Sequence, residues 1–470
     1  MKKPNQQRAV DCAIIASLLL ARLGFLLLSP TGLAGDALEY LKAAQTIIAS
    51  GTLPPLYVQP RGYPLLIAPL VAGGYEINQA VLLMNALFDC STVALLLWTA
   101  NRLLPEPRDR GPRLLCWLLV AIQPFTAEMV SSLLTETPTM FFLFVGVWLL
   151  FIPSNFVARI FGFTFLGVAS LLRIDVLVLN AVASIAYLIL FRRKAFDTRG
   201  TLLGLLLLCA FPISMLAYQY YSTQEIGLIN RAQIWNPGYY AWMRSWFAIE
   251  KIEHNRFAFD PGAANWAGFD VSNYPTRAFD SAAERDRVAE LLETWHTAGY
   301  TGSVDQGFQQ LGIAKFKQHP LRSFVLIPLL RMIHYWINID GAQTYLRVLP
   351  LGRPLSTLVV AFTVLLRLSL ICLAAIGAYT VWLRGRSPLT DQMLLARFAA
   401  LLVLMRTVEL GALGTVAWAG LMEVRYVVIV FPFVILLSLW GVRFLFQNAR
   451  QRKPQSMVCS TRSTASMRNA

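Results

Sequence analysis

The sequence predicts an all-α polytopic membrane protein, a bundle of about ten transmembrane helices with two hydrophilic segments on one face. Three observations carry that reading: an apolar composition, apolar runs of spanning length along most of the chain, and basic residues gathered in alternate connecting segments. Hydrophobic residues make up 56% of the chain and charged ones 14%, with a mean hydropathy of +0.54. Soluble domains sit near roughly 45–50% and about 25%.

A hydrocarbon core about 30 Å thick needs about 20 mostly apolar residues per helix. Such runs lie near 10–28, 78–100, 114–132, 136–152, 156–172, 176–191, 201–221, 355–383, 394–418 and 424–446. The net charge of +15 would suit nucleic acid if it were pooled, but it is dispersed in short loops. Lys2, Lys3 and Arg8 precede the first run, Arg102, Arg108, Arg110 and Arg113 follow the second, and Arg192, Arg193, Lys194 and Arg199 follow the sixth. Arg384 and Arg386 follow the eighth, and Arg443, Arg450, Arg452 and Lys453 close the last. The positive-inside rule puts these loops and both termini in the cytoplasm of a multi-pass cell-membrane protein, beside anionic lipid headgroups, with no role for nucleic acid.

The same parity assigns the run from Leu321 to Ile339, which holds Arg322, Arg331 and His334, to an amphipathic helix in the outer interface. Its Arg and His are expected on the wet side and Phe324, Ile327, Leu330 and Trp336 toward lipid. Residues 1–453 then form a single transmembrane domain, with extracytoplasmic segments at 29–77 and 222–354, and a disordered cytoplasmic tail at 454–470. Arg22 after the first apolar run, with no small-residue cleavage site, argues against a cleavable leader. The six cysteines include none in either outer segment, which leaves no disulfide framework and no metal pattern.

The first outer segment opens on Gly35-Asp36-Ala37-Leu38-Glu39-Tyr40, followed by a helix pattern from Ala37 to Ser50 stopped by Gly51 and a second from Tyr63 to Gly74. Asp36 reads either as an N-cap with Glu39 as its partner or as a general base, and the two roles are compatible. In Gln59-Pro60-Arg61-Gly62-Tyr63-Pro64, Arg61 suits either a phosphate or a lipid headgroup. Thr135-Glu136-Thr137-Pro138 combines a helix-capping threonine, an acid and a first-turn proline. Arg173-Ile174-Asp175 forms a local ion pair, and Glu423-Val424-Arg425-Tyr426 offers another cation for phosphate. Within the spans, Asp89, Arg367, Arg406 and Glu409 are ionisable, with Arg406 and Glu409 spaced to pair on one helix face. The second outer segment is rich in aromatics, among them Trp235, Tyr239, Tyr240, Trp242, Trp246, Phe247, Trp266 and Tyr274. These suit sugar rings or interfacial anchoring. Ser281 and Glu284 form a capping box for a helix carrying Val288, Leu291, Leu292 and Trp295, in what reads as a lid.

Gly35-Asp36 with Tyr40 and Leu41, the Pro-x-Gly-Tyr-Pro stretch from Pro60, Thr135-Glu136, and Arg425-Tyr426 before an apolar helix occur in an order that resembles the GT-C superfamily of membrane glycosyltransferases. The chain looks most like glycosyltransferase family 39, the dolichyl-phosphate-mannose-protein mannosyltransferase-like proteins. The resemblance implies inverting transfer of a sugar from a polyprenyl-phosphate carrier to a lipid, protein or glycan acceptor on the extracytoplasmic face, without metal or cofactor. It implies Asp36 as the catalytic acid–base group, with Glu39, Tyr40, Arg61, Tyr63, Glu136, Arg173, Arg425 and Tyr426 around the substrate. The chain departs from many relatives in having Ala37 directly after Asp36, and Gln59 where a basic residue is common. A transporter or flippase, or a non-catalytic polyprenyl-lipid-binding relative, is the alternative.

Overall fold

A computed structural model describes residues 4–31, 36–52, 62–104, 110–152, 155–173, 175–191, 198–223, 236–248, 256–257, 262–263, 265–337, 351–383, 390–413 and 425–451, with the isolated residues 346 and 348. It is all-α, with no β-strand among them. Helices occur at α1 (Pro4–Leu27), α2 (Asp36–Ser50), α3 (Gly62–Ala72), α4 (Ile77–Leu103) and α5 (Arg110–Ile122). Four more follow at α6 (Glu136–Phe151), α7 (Phe156–Leu172), α8 (Val176–Phe191) and α9 (Thr198–Thr223). The lid contributes α10 (Pro237–Arg244), α11 (Ala282–Ala298) and α12 (Gly302–Gln318). The chain ends in α13 (Ile327–Ile337), α14 (Arg353–Leu383), α15 (Asp391–Leu413) and α16 (Phe431–Gln451), the last preceded by a short turn, Arg425–Val428.

Among the described residues, five helices are long and apolar enough to cross a membrane, at Ala9–Leu27, Ile77–Leu103, Arg199–Tyr218, Arg353–Trp382 and Phe431–Ala449. Shorter apolar helices cover Glu136–Phe151, Phe156–Leu172 and Val176–Ile189. The protein is therefore a multi-pass membrane protein; by length and composition five of the ten expected crossings qualify.

One expected span differs in kind. The run at 114–132 does not form a continuous helix: α5 stops at Ile122, and residues 123–135 pass through Gln123-Pro124 into irregular backbone. Proline lacks the N–H a continuing helix needs. Irregular backbone at this depth survives where protein satisfies its polar groups. Here Arg22 on α1 donates Nη1 to the carbonyls of Ala121 (2.7 Å) and Gln123 (2.8 Å), and Asn85 on α4 donates Nδ2 to those of Val130 and Ser132, both at 3.1 Å.

Helix pairs close on glycine. A Cβ on Gly377 of α14 would lie 2.0 Å from the Leu437 carbonyl oxygen of α16, and one on Gly441 would lie 2.1 Å from that of Leu373. Small residues let membrane helices approach to backbone contact, where dispersion replaces the absent hydrophobic drive. Gly146 of α6 and Gly162 of α7 repeat the arrangement at 2.9 Å in each direction.

The aromatics of the second segment are consumed in the core, in one cluster continuous with that of the bundle. Tyr239, Trp242, Trp246, Phe257, Trp266, Tyr274, Trp295 and Phe308 are all buried and meet mostly edge to face or tilted, as between Tyr239 and Trp266 at 5.5 Å and Trp242 and Trp246 at 5.4 Å, with Phe257 stacked on Tyr274. The expectation that these rings face a sugar or the membrane interface is thus corrected for those described; Trp235 lies outside the described residues. Half of the capping box forms as read: Glu284 N–H donates to Ser281 Oγ at 3.1 Å, while the Glu284 carboxylate accepts from the N–H of Asp280, at 2.7 Å, rather than from that of Ser281.

α13 joins lid to bundle. Leu321, Phe324, Leu329, Leu330 and Ile333 are exposed along it and its preceding π-turn, which suits an apolar face toward lipid. Arg331 and Ile327 point the other way from expectation. Arg331 is buried and donates to the carbonyls of Phe247 (2.8 Å) and Arg244 (3.1 Å), because a guanidinium beside open helix-end carbonyls is better solvated there than in an apolar interface. Trp336 donates Nε1 to Thr407 Oγ1 on α15 at 3.1 Å.

Substituting Gly441→Leu is expected to lower the melting temperature of the detergent-purified protein, at a cost of about 1–3 kcal/mol or more from overpacking against backbone. Gly24→Ala, where a Cβ meets nothing within 4 Å, is expected to leave it unchanged.

Candidate functional site

Residues 36–50 and 62–72 fold as two helices packed on each other. α2 buries Ala37, Tyr40, Ala43 and Ala44, a helical face that meets Tyr63, Ile67 and Ala68 of α3 and Leu133 and Leu172 beyond them. Gly51 closes α2 with a φ of +72°, the left-handed region that favours glycine. Gly62 has a different reason for being glycine. A Cβ there would lie 2.5 Å from the Leu171 carbonyl oxygen, so its absence lets the start of α3 lie on the end of α7. That contact sets Tyr63 beside the residues that follow Leu172.

Tyr40 and Tyr63 meet edge to face, with ring centroids 4.9 Å apart. Tyr63 is fully buried, and its hydroxyl has no hydrogen-bond partner among the described residues. Burial pushes its pKa far above the usual phenol range, and the neighbouring Glu136 carboxylate pushes it further. The hydroxyl stays protonated and is a donor with no acceptor among the described residues. Asp36 is the first residue of α2, one turn before Tyr40 and half-buried, while Glu39 is exposed on another face. Asp36 thus stands inside the helix's first turn, where a carboxylate is favoured by the helix dipole. The cap position falls on Gly35, outside the described residues.

Glu136 opens α6 and is buried. Thr135 occupies the cap position without a capping bond; its hydroxyl instead accepts from Arg173 Nη1 at 3.4 Å. Arg173, at the end of α7, donates Nη1 to Glu136 Oε1 at 2.6 Å and grips Asp175 with Nε at 3.1 Å and Nη2 at 3.0 Å. Asp175 Oδ2 also accepts from Arg406 Nη2 of α15 at 2.6 Å, and Arg406 Nη1 donates to Glu409 at 2.9 Å. The local pair at Arg173 and Asp175 and the helix-face pair at Arg406 and Glu409 are therefore parts of one alternating chain: Glu136, Arg173, Asp175, Arg406, Glu409. Burial alone would raise the Asp175 pKa, but the two guanidiniums outweigh it and hold the carboxyl below the usual range.

Arg173 is thereby committed to two carboxylates, and it would have to exchange one of them to bind a phosphate. Arg61 lies outside the described residues. So do the side chains of Arg425 and Tyr426, although the backbone turn that carries them packs against α6 and α15. No group of three or more metal-ligating side chains occurs among the described residues. The site residues that sequence reading left unconnected are Asp175 and Arg406, more than two hundred positions apart. The other ionisable groups in spans also have partners: Arg22 with Asp89 at 2.5 Å, and Arg367, which donates to the Tyr335 carbonyl at 2.9 Å over the rings of Phe125 and Phe431.

Fold and site together define an all-α, multi-pass membrane protein with a buried chain of charge at one end of its bundle, in contact with a two-helix segment carrying an acid and two tyrosines. No family model, curated protein or solved structure matches the chain.

Arg406→Met is expected to cost about 3–5 kcal/mol, because it strands Glu409 and half of Asp175 in the interior. The pair Arg406→Met/Glu409→Leu is expected to lose less than Arg406→Met alone, read by detergent melting; simple additivity would contradict the chain. Because the folded Asp175 is held low, its stabilisation is complete above the usual carboxylate range and is lost as pH falls beneath about 4. Arg406→Met is expected to make that acid loss shallower.

Proposed function

We propose that the protein is an inverting glycosyltransferase that moves a sugar from a polyprenyl-phosphate carrier to an acceptor hydroxyl or amine on the extracytoplasmic face of the membrane. The observation that carries this reading is the buried cluster of α2 and α3, where Tyr40 touches Tyr63, with the Glu136 carboxylate at the start of α6 near enough to act on the Tyr63 hydroxyl through its charge and fixed in turn by Arg173. The order of motifs along the chain adds the resemblance to the GT-C superfamily.

In this mechanism the acceptor oxygen or nitrogen attacks the anomeric carbon as the carbon–oxygen bond to phosphate breaks. Asp36 takes the acceptor proton, and the phosphate leaves with the bonding pair, inverting the centre through an oxocarbenium-like state. Asp36 suits that task because it is half-buried at a helix start, where an acceptor can reach it. The Tyr63 hydroxyl supplies a donor to the sugar or to the leaving oxygen, and Glu136, oriented by Arg173, accepts from sugar hydroxyls. Arg61 and Arg425 are the cations assigned to the phosphate, since Arg173 is engaged by carboxylates. Glu39, exposed on another face of α2, has no part in the chemistry.

The test is transfer by the purified protein from a panel of polyprenyl-phosphate sugars. Asp36→Asn is expected to lower kcat by about 10²–10⁴-fold with carrier binding retained, while Glu39→Gln stays near wild type. Equal transfer by wild type and Asp36→Asn would remove the proposed base. Carrier movement across proteoliposomes without sugar transfer would favour a flippase.

A further inference from the structure

Arg244 ends α10 and Arg331 lies within α13, and the two meet where the second outer segment joins the bundle. Arg331 is buried; its Nε and Nη2 donate to the Phe247 carbonyl at 3.2 and 2.8 Å, and Nη2 also reaches the Arg244 carbonyl at 3.1 Å. Its Nη1 has no acceptor among the described residues. Arg244 is half-buried, its Nε is shut off from solvent, and its guanidinium has no hydrogen-bond or ion-pair partner among the described residues. We infer that these two guanidiniums form a site for the phosphate of an anionic bilayer phospholipid, held at the outer leaflet where α10 meets α13. The inference does not depend on the proposed reaction.

The charge at this corner is unbalanced. Arg22, Arg113, Arg173 and Arg406 are each paired with a carboxylate, whereas Arg244 and Arg331 have only carbonyl dipoles between them. Burial pushes both guanidiniums down to about 10, and the charge of Arg244 adds to the effect at Arg331. Two like charges held together in a partly desolvated corner cost free energy that an anion relieves. The donors left over are of the right kind, since paired guanidinium N–H groups match phosphate oxygens.

The surroundings select a lipid as the source of that phosphate. Leu329, Leu330 and Ile333 are exposed on α13 on either side of Arg331 in the chain, and this apolar face suits acyl chains. A free phosphate would gain nothing from it, whereas a phospholipid adds apolar contact to the charge pairing. The phosphate of a carrier serving Asp36 belongs with α2 and α3, and α3 rests on α4 and α7, while α13 rests on α14 and α15. A phosphate bridging Arg244 and Arg331 therefore ties α10 to α13 a second time, beside the bonds from Arg331 to the carbonyls.

The experiment measures binding of phosphatidylglycerol to the detergent-purified protein by native mass spectrometry, together with the melting temperature with and without that lipid. Arg244→Gln is the informative variant, because Arg331 also holds carbonyls and its loss would disturb the fold. Wild type is expected to bind phosphatidylglycerol more tightly than phosphatidylcholine, whose choline cancels the phosphate charge, and to melt higher in its presence. Arg244→Gln is expected to bind phosphatidylglycerol about tenfold more weakly, the loss of about one hydrogen bond between charged groups, and to forfeit the gain in melting temperature. Without lipid it is expected to melt no lower than wild type, since the side chain has no partner to lose and its removal relieves Arg331. Arg287→Gln makes the same change in net charge at an exposed pair with Glu290 and is expected to match wild type throughout.

Equal binding of phosphatidylglycerol and phosphatidylcholine would overturn the inference, as would an equal loss in Arg287→Gln. A lower lipid-free melting temperature in Arg244→Gln would make Arg244 a structural tie and overturn it too. Inorganic phosphate at millimolar concentration that raised the melting temperature as much as phosphatidylglycerol would identify a free anion. Loss of polyprenyl phosphate binding in Arg244→Gln, with phosphatidylglycerol binding intact, would identify the carrier. Either result overturns the assignment to bilayer lipid.

Discussion

In an interior that solvates charge poorly, a guanidinium can be kept only by giving its N–H groups acceptors and its charge a partner. The chain Glu136, Arg173, Asp175, Arg406, Glu409 meets that condition with residues from α6, the α7–α8 turn and α15. Hydrophobic residues of the same volume could fill the space at similar or lower energetic cost. They would not fix the carboxylate of Glu136 in one direction or tie α15 to the α7–α8 turn in one register. The two-helix segment α2–α3 then rests on this frame through Gly62 against Leu171 and Tyr63 beside Glu136.

The same accounting explains the arginines elsewhere. Arg22 is held by Asp89, two carbonyls and a threonine, Arg331 by two lid carbonyls, and Arg367 by a carbonyl and two aromatic faces. Each stabilises backbone that would otherwise be left without partners: the break after α5, the end of α10, and the end of α13. Arg331 and Trp336 on α13 together join the carbonyls at the end of α10 to α15 next to Arg406.

Much of this was legible in the sequence where the cause is local. Apolar runs of spanning length located the helices, Gly51 ended α2, and Ser281 with Glu284 capped α11, because each depends on residues within a few positions. The Arg406–Glu409 and Arg173–Asp175 pairs were legible for the same reason. Their junction through Asp175 was not, since it joins positions 175 and 406 and depends on how α15 packs. The pairing of Arg22 with Asp89 was likewise not read from the sequence, since it joins two spans 67 positions apart. The lid aromatics misled because composition cannot distinguish rings turned inward from rings presented to a ligand. The break at Gln123-Pro124 was hidden by the apolar residues on either side of it.

The central claim is that α2, α3 and α6 surround the reacting sugar. A polyprenyl-phosphate sugar bearing a photoreactive group beside its anomeric carbon, reacted with the purified protein and mapped by mass spectrometry, addresses it directly. The account predicts label on residues 36–40, 62–63 and 136. Label confined to the lid helices, or to the membrane face around Arg22 and Asp89, would contradict it.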